Sequence, residues 1–244
     1  MSNLVPGITF SLSSLSDFSS PSLASEIVRT ICDVPSSIRP SKFGPFEGVS
    51  PLAGLDEPVK FISQPEKPVK AGSLVLTAGK NCEYQVQWNK SVPPSFPFVG
   101  GFLLRNAFDK KSDTLLAFLD LVKKLASTTN VVYGDVRSME FAGWDTPVNL
   151  SLRLPDIPNV SIYGKPYIEL FGRERIEGAP FHRIEQLSDD LYWLQATELV
   201  TDPVPEDLRV SIRKYFDEDA FMSGKKWRYS DGLHPAFDFS AVAE

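Results

Sequence analysis

Two apolar-rich runs that fold back on one another limit this chain most. Leu74-Val75-Leu76-Thr77-Ala78 and Cys82-Glu83-Tyr84-Gln85-Val86-Gln87-Trp88 are separated only by Gly79-Lys80-Asn81. A tight turn between two such runs reads as a β-hairpin, so antiparallel pairing belongs somewhere in the fold. In the second run Cys82, Tyr84, Val86 and Trp88 share one face, because strand side chains alternate. Cys82 is therefore expected as a small core residue rather than a reactive thiol.

Other segments alternate strand and helix signals. Gly7 to Leu12 reads as a half-buried strand, and Leu23, Ile27, Val28 and Ile31 recur at helical spacing after Ser22, a capping residue, with Pro35 ending the helix. Lys42 to Val49 suits a returning strand. Phe96 to Phe108 is a further strand, carrying Gly100-Gly101. The clearest helix runs from Asp113 to Ala126 behind the cap Ser112, with Leu115, Leu116, Phe118, Leu119, Val122 and Leu125 expected to face inward. Val131 to Val136 follows as a strand. These two strand-helix-strand successions echo one another and predict two related β-α-β units. The fold class expected is α+β, a mixed or antiparallel sheet with packed helices. A division near residue 90 gives a first α+β unit over 1–90 and a second over 91–244, or the whole forms one compact domain. Between Gly48 and Gly72 repeated prolines predict a surface loop.

The last third is aromatic and glycine-punctuated. Ile162 to Gly172 is expected as a short helix entered through Gly164-Lys165-Pro166. Phe181 to Leu187 and Leu191 to Thr197 flank Ser188-Asp189-Asp190 as a hairpin, and Pro205 opens a final helix with Leu208, Ile212, Tyr215 and Phe216 on one stripe.

Chemistry is sparse. Cys32 and Cys82 form no CxxC pair, and His182 and His234 lie far from both in sequence, so neither a zinc site nor another metal site is expected. Gly-rich phosphate loops are missing, and no cofactor is predicted. Asp189-Asp190 falls at a turn, where aspartate serves the backbone. A net charge of −6 disfavours nucleic acid and anionic membranes. The basic and aromatic residues after Arg209 are offset by Asp217, Glu218, Asp219 and Asp231. No apolar run reaches bilayer length and no secretory leader is evident, so the expected location is cytoplasmic.

Tyr163-Gly164-Lys165-Pro166-Tyr167-Ile168-Glu169-Leu170-Phe171-Gly172-Arg173-Glu174-Arg175, the following hairpin, and Arg213 to Phe221 carry a resemblance. Together they resemble the carboxy-terminal part of bacterial immunity proteins of polymorphic toxin systems, notably the immunity protein 52 family, with type VI secretion immunity proteins as related candidates. The resemblance covers roughly the last hundred residues. It implies a non-catalytic protein that binds and neutralises a cognate protein toxin. Gly164, Tyr167, Phe171 and Gly172, which match the motif, are expected to determine shape rather than touch the toxin. Interface expectations rest on acidic clusters and one aromatic anchor: Asp56, Glu57, Asp189, Asp190 and Trp144. The competing reading is a hydrolase or transferase whose carboxylates or Cys-His pair meet only in the folded protein.

Overall fold

The computed structural model describes residues 7–63, 71–89, 96–109, 112–139, 153–221 and 234–240. Its strands are β1 (Gly7–Ser14), β2 (Lys42–Gly44), β3 (Ser50–Pro51), β4 (Ala71–Ala78), β5 (Cys82–Asn89), β6 (Phe98–Leu104), β7 (Val131–Ser138), β8 (Val160–Gly164), β9 (Arg183–Ser188) and β10 (Leu191–Gln195). They join one sheet in the order β3-β2-β4-β5-β6-β1-β7-β8-β10-β9, antiparallel throughout. The helices are α1 (Pro21–Cys32), α2 (Asp56–Ser63), α3 (Arg105–Phe108), α4 (Ser112–Thr128), α5 (Lys165–Phe171), α6 (Arg173–Glu177) and α7 (Glu206–Phe216). The protein is thus α+β. Its β4-β5 hairpin turns at Gly79-Lys80-Asn81, and β5 pairs with β6 across residue 90.

The two strand-helix-strand successions take unlike places. β6 and β7 flank β1 directly, whereas β1 and β2 stand apart with β6, β5 and β4 between them. Both crossovers nonetheless lay their helices, α4 and α1, side by side over one face.

Alternation along β10 explains the two cores. Leu191 and Trp193 join a cluster with Ile8, Phe10 and Leu12 of β1, Ile27 and Val28 of α1 and Phe118 and Val122 of α4. Tyr192 and Leu194 point the other way and join Tyr133, Tyr163, Tyr167, Phe171 and Phe216 under α5, α6 and α7. Strands β8 and β10 are buried at every position because helices lie on both sides of them.

Several boundaries differ from expectation. The helix α1 begins with Pro21 behind Ser20, rather than at Ser22, since proline suits a first turn whose N–H groups lack helical partners. The proline-rich stretch read as a loop contains α2, with Pro58 in its first turn, where a missing N–H costs nothing. The segment from Ile162 to Gly172 is strand β8 up to Gly164, and only then helix. Among the described residues no helix is long and apolar enough to cross a membrane.

Candidate functional site

Helix α4 reaches β9 across the first face but leaves part of the β9-β10 edge uncovered beside it. Past its outer flank, Arg183 and Glu185 of β9 and Trp193 and Gln195 of β10 share that face and floor a groove. The groove consists of three depressions of about 540, 490 and 430 Å³. The first two share Lys123, and the last two share Ser127. Leu115, Leu116 and Leu119 form one wall of the largest, opposite Leu199 and Val200 of the segment after β10. Leu116 and Leu199 are each 59% exposed, which is unusual for leucines that line the same concavity.

Helical geometry puts these side chains there. Leu116, Asp120, Lys123 and Ser127 follow one another at spacings of four, three and four residues and so form one stripe. Phe118, Leu121, Val122 and Leu125 form the buried stripe. Leu116 lies about 160° round the helix from Phe118, so it faces outward, contrary to the inward position expected for it. Beneath it, Lys123 Nζ lies 2.7 Å from Glu185 Oε2 and 5.1 Å from the ring centre of the buried Trp193. The same Glu185 oxygen accepts a hydrogen bond from Arg183 Nη2 at 2.8 Å. One carboxylate thus holds two cations on the floor.

The residues singled out as partner contacts do not converge. Asp189 and Asp190 form the exposed two-residue turn between β9 and β10, with Asp190 at the third depression. Asp56 and Glu57 are exposed in the first turn of α2, which packs on α1 and β4. Seven strand spacings separate β4 from β9, about 34 Å, so one small contact cannot engage both pairs. Trp144 lies outside the described residues. Phe46, 89% exposed beside β2, shows that isolated apolar exposure also occurs at the far end.

The aromatic motif supports the groove from behind. A Cβ on Gly164 would come within 1.9 Å of the Val131 carbonyl oxygen, so only glycine admits this contact between β8 and β7. Gly172 joins α5 to α6 at φ 83°, a left-handed backbone value that favours glycine. Tyr167 and Phe171 are buried among Tyr163, Phe216 and Phe221. Arg173 Nη2 donates to the Asp189 carbonyl at 2.7 Å and Nη1 to the Tyr192 hydroxyl at 3.2 Å. The motif thereby anchors the Asp189-Asp190 turn.

The thiols are chemically quiet. Burial pushes Cys82 up to about 12 and Cys32 up to about 11, so both stay protonated at neutral pH. His182 is exposed just before β9. Arg209 and Arg213 bind Asp156, which ties this part of the basic carboxy-terminal stretch into the fold. Among the described residues no three His, Cys, Asp or Glu side chains gather closely enough to hold a metal ion. On the second face Asp135, buried at the sheet centre, is paired with Arg137 at 3.0 Å. The Ser161 hydroxyl, opposite Asp135 in the β7-β8 register, is buried without a hydrogen-bond partner.

No local pattern signals the groove directly, since its walls are joined only through the sheet. Leu116 was the one available hint: an apolar residue that the inner stripe of α4 cannot accommodate.

No protein-family profile matches the chain. No curated protein matches it either. Among solved structures it is similar to the Pseudomonas aeruginosa T6SS protein PA0821, with a TM-score of 0.58 and 11% sequence identity over 92% of this chain and 77% of that one. At that identity, the likeness is one of fold.

Proposed function

We propose that this chain is an immunity protein of a type VI secretion system, which binds a cognate bacterial toxin in the cytoplasm and blocks it without turning over a substrate. The observation that carries the reading is the groove between α4 and β9, where Leu116 and Leu199 stand exposed above a buried tryptophan floor. Each of these leucines is 59% exposed, so burying the remainder against a partner gains roughly 1 to 2 kcal/mol apiece, enough for two side chains to contribute strongly to a contact. The resemblance of the carboxy-terminal motif to toxin immunity proteins supports the same reading. So does the fold shared with a protein described as a type VI secretion component.

The test is protection. Cells expressing the toxin encoded beside this gene should survive when the intact chain is co-expressed and die when it carries Leu116→Asp. Equal survival with and without the intact chain would refute the immunity role.

A further inference from the structure

The groove is electrically polar along its length. Around the largest depression stand Asp109, Asp120 and Glu198, together with Arg183, whose guanidinium is engaged by Glu185. Around the next, toward the carboxy-terminal end of α4, stand Arg29 and Lys124, with Asp33 as the one carboxylate beside them. Lys123 lies between them and is already engaged by Glu185. Among the described residues neither Asp120, Glu198, Arg29 nor Lys124 forms an ion pair, and all four are exposed. Helix α4 has 17 residues and is therefore about 26 Å long, so both signs fall within reach of one short segment.

We infer that the groove receives an amphipathic segment of a partner protein, with apolar side chains against Leu116, Leu199 and the wall of α4, a basic residue at the Asp120-Glu198 end and a carboxylate at the Arg29-Lys124 end. This rests on the docking role proposed above for the same groove, and adds which partner chemistry it selects. Charge complementarity decides the occupant: a uniformly basic segment meets Arg29 and Lys124, a uniformly acidic one meets Asp120 and Glu198, and each leaves like charges facing one another.

Three fluorescein-labelled synthetic peptides of 14 residues test it by fluorescence anisotropy with the full chain. All carry leucines at helical spacing; one ends in two lysines and two glutamates, one in lysines at both ends, one in glutamates at both ends. The mixed peptide should bind about tenfold tighter than either uniform peptide. Arg29→Glu with Lys124→Glu should transfer the preference to the lysine peptide, and Leu116→Asp should weaken all three. Equal affinities, tightest binding of a uniform peptide to the unsubstituted chain, or no binding of any would overturn the inference. So would concentration-dependent self-association in sedimentation that Leu116→Asp abolishes, because the occupant would then be a second copy. Should the peptides fail while Leu116→Asp still removes protection from the toxin, the immunity role stands and only the charge pattern falls.

Discussion

At the scale of single residues, the close contacts make sharp expectations. Gly164→Ala forces a methyl group into the Val131 carbonyl and should cost about 3 kcal/mol, read as a lowered urea midpoint. Ser161→Ala should move the other way, stabilising by up to about 1 kcal/mol, because it removes a buried hydroxyl that has no partner. The thiols titrate with a definite sign. Each has its folded value raised by burial, so the protonated form is favoured in the folded state and the resulting stability is complete below the ordinary thiol range. That stability should fall as pH rises from about 9 toward the values of about 11 and about 12. At pH 8 neither Cys32 nor Cys82 should react with a disulfide reagent until the protein is unfolded by urea, as measured by thionitrobenzoate release.

At the scale of elements, Arg173 is the link between the aromatic motif and the β9-β10 turn. Replacing it with Ala removes both hydrogen bonds and should speed amide exchange at Asp190 and Leu191, with a global cost of only about 1 kcal/mol. Elements whose signals are local were legible from the sequence. The β4-β5 and β9-β10 hairpins announce themselves through their turns, and α4 and α7 through their apolar stripes. The helix α2 was obscured because Pro58 reads as a breaker unless its place in the first turn is known. Leu116 was misassigned for a related reason: seven large apolar positions from Leu115 to Leu125 exceed one helical stripe, and periodicity alone does not say which belongs outside. The groove needed the pairing order of β8, β10 and β9, which no local pattern contains.

At the scale of the whole molecule, the two cores cannot be separated. Strands β7, β8 and β10 contribute side chains to both, so loss of either helical layer exposes apolar surface on the other's strands. Heating should therefore give a single calorimetric transition, and Leu116→Asp should leave its midpoint within about 2 °C of the unsubstituted chain. The acidic pairs at Asp56-Glu57 and Asp189-Asp190 stand far apart on this sheet, which makes a contact through the groove distinct from one through α2. Because the exposed stripe of α4 shares no position with its buried stripe, drift at Leu116, Asp120 or Lys124 leaves the interior untouched. Such a layout lets a lineage retune what it recognises, one surface substitution after another, while the scaffold beneath keeps its shape.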